Sequence, residues 1–437
     1  MANRLDTTPN YNIKAVAHET GLKPDTLRAW ERRYGLPNPA RSQGGHRLYS
    51  QRDIEIFKWL KARQLEGLSI SRAVKLWRQM EREGQDPLRM QPYVQQQPDE
   101  IPMGGNEIGM LREAWIEACK AFDERSAERI LNQAFAIHPP EVVCLEIITT
   151  GLSTIGREWF RGKVIVQQEH FASELAIRQL ENLIAATPNP TLPGKILVIC
   201  PPLEEHTFSG LLITFLLRRN GRDTIFLGAN VPLLRLDSTL QSIEPMLVIL
   251  TAQRLVTAAN LKQMASQLAD REILTAYGGR IFNIEPKTRD HIQGVFLGER
   301  IDEVPSVVES LLSSTPLVAQ AKALHPDYIQ TIEKFHLHQA EVENTVISEM
   351  ITNAISIYPI RISNLNLSTN IIASLEMGDI GLLRSDIEWV RGFLEYQKIP
   401  PETLDHYLVV YENAIKDVLG EDGKPITDFF ARFAREK

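Results

Sequence analysis

The sequence predicts a multidomain protein of the α and α/β classes: a basic helical head, a four-helix bundle, a five-stranded doubly wound parallel α/β domain and an all-helical C-terminal domain. Three observations carry that prediction. Residues 195–314 alternate short, β-branched apolar runs with helical stretches, the pattern of parallel strands buried on both faces. The flanking segments, 108–188 and 317–437, place apolar residues at helical spacing. Charge is divided sharply: residues 11–80 hold fourteen Lys or Arg against six Asp or Glu, a net of +8 in a chain of net −7, so the remainder carries −15.

With 437 residues, 43% apolar and 24% charged, the chain suits two to four domains. No run of eighteen apolar residues is present, which predicts no membrane span. The opening MANRLDTTPNYN lacks the apolar stretch of a secretory signal. Cys119, Cys144 and Cys200 are odd in number and far apart. That argues against a disulfide framework or a thiolate zinc site and fits a cytoplasmic protein. The acidic total alone disfavours nucleic acid as a partner; the basic head reverses that inference for residues 1–80.

The head is read first. Ile13, Val16 and Ala17 line one face of a short helix, and Gly21-Leu22 makes a turn. Pro24 suits the first position of a second helix, where its missing N–H costs nothing. That helix buries Leu27, Trp30 and Tyr34 and turns Thr26, Arg28, Arg32 and Arg33 outward. Two short helices about a glycine turn, the second basic, form a helix-turn-helix. Gly44-Gly45 then supplies a hairpin turn flanked by Arg41, His46, Arg47 and Tyr49, a wing able to lay guanidinium groups and a phenol along phosphates. Ser50 with Asp53 makes a capping box for a third helix, and Ser69 caps a fourth. The candidate DNA contacts are Thr26, Arg28, Arg32, Arg41, His46, Arg47 and Tyr49.

The run TLRAWERRYGLPNPARSQGGHRLYS, followed by D-I-x-x-F-x-x-L-x-x-R, resembles the MerR family of winged-helix regulators over about 70 residues. The resemblance implies binding to a double-stranded DNA operator by a dimer, with the helix in the major groove and the wing on the backbone. The metal-responsive members follow this head with one long dimerisation helix and a cysteine metal site. Neither stands here, so dimerisation falls to the body.

Residues 81–107 are rich in Gln, Pro and Gly without apolar period. They read as a flexible linker whose root-mean-square span is roughly 30 Å. The bundle, 108–190, follows as helices over 108–122, 124–138, 141–160 and 167–187, with Asp123 and Pro139-Pro140 at two starts. Short loops make them antiparallel neighbours. The α/β domain, 191–316, has strands near 195–200, 224–229, 246–252, 273–279 and 295–299. Ligands of such sheets sit beyond the strand carboxyl ends, at a switch point. There the loop after the first strand, PPLEEHTFSG, places His206 beside Glu204 and Glu205. Gly228 ends the second strand, and Gly278-Gly279 ends the fourth, where backbone can approach a flat ligand.

Bundle and sheet together resemble the cobalamin-binding module of corrinoid methyltransferases and CarH-type photoreceptors. That family carries Asp/Glu-x-His-x-x-Gly, a Ser or Thr after the third strand and Gly-Gly after the fourth. Glu204, His206, Thr251 and Gly278-Gly279 match it. The resemblance implies that His206 ligates cobalt from below in place of the cofactor's own base, that Glu204 orients the imidazole, and that the nucleotide tail passes Gly278-Gly279. It also implies a cap over the upper face through Trp-x9-Glu-His, matched by Trp159, Glu169 and His170. Trp159 would shield the upper group and Glu169 would accept hydrogen bonds from it.

Two positions depart from the pattern. Ser209 replaces the loop glycine, with Gly210 one place later; helix register points to substitution and not insertion. Phe160 stands where CarH-type sensors have a second histidine, which weakens the case for light sensing. Adenosylcobalamin is the expected cofactor, with a bilin as the alternative tetrapyrrole. The expected function is a cobalamin-controlled transcription regulator acting as a homo-oligomer, dimer or tetramer. A corrinoid methyl carrier has no use for an operator-reading helix, and no catalytic constellation is visible.

In the tail, 317–437, Leu375, Ile380, Leu383, Ile387 and Val390 mark an amphipathic stretch and Pro400-Pro401 starts another helix. His336 and His338, two apart on a helix, diverge and do not suggest a metal. This domain is expected to serve self-association or docking of a protein partner.

Overall fold

The computed structural model describes residues 8–41, 45, 47–65, 70–82, 107–313, 321–351 and 357–436. The chain divides into two units, Met1–Pro102 and Met103–Lys437. The expected linker lies almost wholly outside the described residues, as do Ser69 and His46.

In the first unit, α1 (Ile13–Thr20) and α2 (Pro24–Tyr34) are joined through Gly21, which takes the left-handed conformation at φ 63°. Asn12 caps α1, its side chain accepting from the backbone N–H groups of Lys14 and Ala15. The wing is an antiparallel pair, β1 (Ala40–Arg41) with β2 (Arg47–Leu48). The capping box at the start of α3 (Gln51–Leu65) is present: the Asp53 N–H donates to Ser50 Oγ at 3.2 Å and the Ser50 N–H to Asp53 Oδ2 at 2.8 Å. With α4 (Ile70–Arg82), these elements bury Val16, Leu27, Trp30, Phe57, Leu60 and Trp77 in one core.

The second unit opens with the bundle: α5 (Glu107–Lys120), α6 (Glu124–Ile137), α7 (Pro140–Val142), α8 (Thr150–Phe160) and α9 (Val166–Ala185). Asp123 caps α6 through the Ser126 N–H at 3.0 Å. The expected third helix is not uniform. Residues Val143–Thr149 widen into a π-helical turn between α7 and α8. The wide turn brings Gly151 under the buried Trp115 ring, where a β-carbon would stand 2.7 Å from it.

The sheet follows as β3 (Lys195–Ile199), β4 (Asp223–Phe226), β5 (Pro245–Thr251), β6 (Thr275–Gly278) and β7 (Val295–Phe296). It is parallel throughout, in the order β4-β3-β5-β6-β7. The switch point falls between β3 and β5, because the chain leaves β3 for one side and reaches β5 on the other. One face packs on α10 (Phe208–Arg219) and α14 (Val304–Ser313) through Ile213, Leu217, Val304 and Val308. The other packs on α11 (Leu236–Ile243) and α12 (Leu255–Ala269). Short α13 (Arg280–Ile284) follows β6. Complete burial of Ile196–Ile199 and Leu247–Leu250 contributes roughly 1.5–3 kcal/mol per side chain and explains the unbroken apolar runs.

The C-terminal helices are α15 (Pro326–Ile351), α16 (Ile357–Glu376), α17 (Leu383–Tyr396), α18 (Pro401–Leu419) and α19 (Lys424–Arg435). They share a core of Phe335, Val342, Ile371, Tyr411, Ile415 and Phe430 among others. This domain does not stand apart from the sheet. Ala373, Met377 and Leu382 enter the core beneath α12, so α16 adds a further helix to that face. No helix among the described residues is long and apolar enough to cross a membrane.

Candidate DNA-binding face and cofactor site

On the head, Arg28, Arg32 and Arg33 are exposed along α2 and Arg41 is exposed on the wing, while Thr26 is half-buried. Arg28 pairs with Asp25 at 3.1 Å, both at the surface, a pair worth little and easily exchanged for a phosphate. Arg47 and Tyr49 differ from expectation. Glu31, its side chain only 7% exposed, accepts from Arg47 Nε at 2.6 Å and from the Tyr49 hydroxyl. Tyr49 is fully buried and bridges to Tyr11. Its burial and the Glu31 carboxylate both push the phenol up. Tyr49 therefore belongs to the core and is not a phosphate contact. Arg47 ties the wing to α2 through a carboxylate the sequence did not single out.

At the switch point, the loop after β3 is fixed from several directions. The Leu203 N–H donates to Asn230 Oδ1 at 2.9 Å, Arg254 Nη2 donates to the Leu203 carbonyl at 2.9 Å, and Asn260 Nδ2 donates to the Pro202 carbonyl at 2.7 Å. Inside it, Glu204 is completely buried and accepts four hydrogen bonds. The His206 N–H (2.9 Å) and Nδ1 (2.7 Å) meet Oε1; the Gln253 N–H (2.7 Å) and the Thr257 hydroxyl (2.6 Å) meet Oε2. Burial alone would raise the Glu204 pKa. The hydrogen bonds from His206, Thr257 and the two backbone N–H groups outweigh it and hold the carboxyl below the ordinary range. An ionised Glu204 accepts only, so Nδ1 carries a proton, which leaves Nε2 as the ring nitrogen able to present a lone pair. The His206 side chain is 58% exposed, leaving that lone pair open at the strand ends.

The remaining predicted residues divide. Ser209 is drawn into the same network, its hydroxyl accepting from Gln253 Nε2 at 2.7 Å. Gly228 sits at φ 89° with open space where a β-carbon would be. Thr251 is buried at the end of β5, with its hydroxyl 3.4 Å from Cys200 Sγ. The threonine that bonds Glu204 is Thr257, which the sequence did not single out. A β-carbon at Gly279 would stand 1.9 Å from the Ala252 carbonyl oxygen, so the backbone there approaches the residue after β5 closely. The β-carbon position at Gly278 meets only Leu297, at 3.9 Å.

In the bundle, Glu169 accepts from Ser173 Oγ at 2.9 Å and lies 3.2 Å from Nδ1 of His170, whose side chain is 73% exposed. Trp159 is engaged from an unforeseen side: its ring lies 6.2 Å from Trp389 and 5.6 Å from Phe393 of α17. Gln253 and Thr257 were missed as site residues. The available signal was their polarity directly after β5, at the carboxyl edge of an otherwise apolar run. All three cysteines are buried; burial pushes Cys119 and Cys144 up to about 12 and Cys200 to about 11.

Two segments of the chain match known families. Residues 11–80 match the MerR HTH family regulatory protein model, and residues 111–184 match the B12 binding domain. The chain is similar to the HTH-type transcriptional repressor CarH of Myxococcus xanthus, 32% identical over 54% of this chain and 76% of that protein. It is likewise similar to the repressor CarA of the same organism, 31% identical over 59% of this chain and 81% of that one. Among solved structures, the Methanosarcina barkeri monomethylamine corrinoid protein aligns at 18% identity and TM-score 0.39, covering 47% of this chain and 100% of the other.

Proposed function

The chain belongs to the MerR-family transcription regulators that carry a CarH-type cobalamin-binding module, and from that premise we propose that adenosylcobalamin occupancy sets its oligomeric state and its affinity for an operator. The observation that carries this reading is His206. Its ring is held at Nδ1 by an ionised, buried Glu204 and is open at Nε2, at the switch point of the sheet.

That donor set fits the cofactor. A neutral imidazole with one nitrogen tied to a carboxylate is the usual metal-facing histidine, and the carboxylate raises its basicity. Adenosylcobalamin, when bound, would supply a cobalt that such a nitrogen can ligate and a light-sensitive cobalt–carbon bond. His206 would hold the cofactor from the sheet side, with Glu204 fixing the ring, Thr257 bonded to Glu204, and Gly228 leaving open space at the end of β4. Trp159 and Glu169 cover it from the bundle side. On the head, Arg28 and Arg32 reach the major groove while Arg41 lies along the backbone. Pairing of the bodies as dimer or tetramer brings two heads onto one operator, and avidity raises affinity without new contacts. Phe160 has no lone pair to offer, so occupancy is the primary signal and illumination a secondary one.

The test uses the purified full chain in the dark, with and without adenosylcobalamin. Duplexes selected from a random pool supply the operator. We expect corrin absorbance to remain after desalting, the mass by light scattering to rise, and operator binding to tighten. Loss of all corrin absorbance on desalting would refute the cofactor. Retained absorbance with mass and DNA affinity unchanged would refute its control of the head.

A further inference from the structure

Helix α17 is anchored at both ends on the cofactor module. At its start, the Ser385 hydroxyl bonds Glu285, which follows α13 on the carboxyl edge of β6. Just upstream, Leu382 is buried under α12, Lys262 Nζ donates to the Glu376 carbonyl, and a β-carbon at Gly378 would stand 2.5 Å from the His291 ring. At its far end, Trp389, Phe393 and Tyr396 close on the last two residues of α8. Phe160 lies 5.4 Å from Trp389 and 5.6 Å from Tyr396, and Trp159 lies against Trp389 and Phe393. Trp389 and Phe393 stack on each other at 3°. Gly392 leaves room for the Phe160 ring, which a β-carbon would meet at 3.2 Å. The helix has 14 residues, about 21 Å at 1.5 Å per residue.

We propose that α17 is a strut that sets the spacing between the sheet and the Trp159 cap, so that cobalamin binding and docking of the C-terminal domain are thermodynamically coupled. This rests on the cobalamin reading above. A group seated on His206 and covered by Trp159 would touch both of the parts that α17 ties together through Ser385 and Trp389. Trp389 and Phe393 pack on the Trp159 ring, so undocking of α17 would free that ring while leaving His206 as it is. Through these contacts the C-terminal domain takes part in the sensor. Coupling is reciprocal: whatever factor the cofactor adds to docking, docking adds to cofactor affinity.

Two measurements on the full chain test this. In hydrogen exchange, adenosylcobalamin should slow the amides of α17 at least fivefold. In a visible-absorbance titration, the double variant Trp389→Ala, Phe393→Ala should bind adenosylcobalamin about 5- to 150-fold more weakly, the usual range of such couplings. Exchange of α17 unaffected by a cofactor that the parent chain does bind overturns the strut, whether or not the variant folds. So does unchanged affinity in a folded variant. A parent chain that binds no corrin overturns the cofactor reading first, and the strut with it.

Discussion

Glu204→Gln tests the site most directly, because the replacement keeps the size of the side chain and removes only its charge and one acceptor. The carboxylate now meets two donors on each oxygen: the His206 N–H and Nδ1 on Oε1, the Gln253 N–H and Thr257 hydroxyl on Oε2. A glutamine must turn its NH2 toward one pair. Facing His206, it would confront a backbone N–H that cannot accept and would push the ring proton to Nε2. Facing Thr257, the hydroxyl can rotate to accept, and only the Gln253 N–H loses its partner. The second arrangement costs less. It leaves one orphaned donor, about 1–3 kcal/mol of folding stability, and turns the His206 contact from charge-assisted to neutral, roughly halving its strength.

Loss of such an outer partner typically costs a metal site 10- to 100-fold in affinity. We therefore expect cobalamin to bind Glu204→Gln ten- to hundredfold more weakly by absorbance titration, with urea unfolding showing about 1–3 kcal/mol lost. The variant also changes the acid response. The folded carboxyl has a depressed pKa, so its contribution is present above the unfolded value, about 4.3, and is lost as pH falls through the lower folded value. Stability of the parent chain should thus fall more steeply below about pH 4 than that of the glutamine variant. Affinity within twofold of the parent would refute the reasoning, since the ring would then need no charge behind it.

Other outcomes follow from the same contacts. His206→Ala should abolish or strongly weaken cobalamin retention while leaving DNA binding by the head intact; equal retention removes the ligand assignment. Arg32→Ala should weaken DNA binding and lower the salt slope by about one with the melting temperature of the head unchanged. Arg47→Ala should instead lower the melting temperature as well, because its guanidinium also neutralises the nearly buried Glu31; a head of unchanged stability would show that the pair does not hold the wing. Gly210→Ala places a β-carbon 2.6 Å from the Phe226 ring and should cost about 1–3 kcal/mol by overpacking; a neutral result would mean that Phe226 yields freely.

The five strands were legible because strands covered on both faces read as continuous apolar runs, and Ile196–Ile199 has no polar side to hide. The helix-turn-helix was legible because Gly21, Pro24 and Ser50 with Asp53 each do one local job that no distant contact can change. What was not legible depended on direction. Tyr49 in a basic hairpin looks the same in sequence whether its hydroxyl meets a phosphate or a buried Glu31. Thr251 and Thr257 stand six apart on a strand and a helix, and only the turn between them decides which one reaches Glu204. Trp389, Phe393 and Tyr396 fall at i, i+4 and i+7, the spacing of any buried helix face. Nothing in that spacing says that the face belongs to the bundle two domains away.

Gln253 connects these observations. Its backbone N–H serves Glu204, its Nε2 serves Ser209, and its Oε1 accepts from the Arg280 N–H at 3.1 Å. One side chain thus ties the loop after β3, the end of β5 and the start of the segment after β6, the three strand ends that surround His206. This also accounts for the serine where the related loops carry glycine. A β-carbon at Gly210 would stand 2.6 Å from the Phe226 ring, while the Ser209 hydroxyl accepts from Gln253. The imidazole is therefore positioned by bonds that join the loop after β3 to the ends of β5 and β6. A displacement at one strand end must then be felt at the others, including the Glu285 edge on which α17 rests.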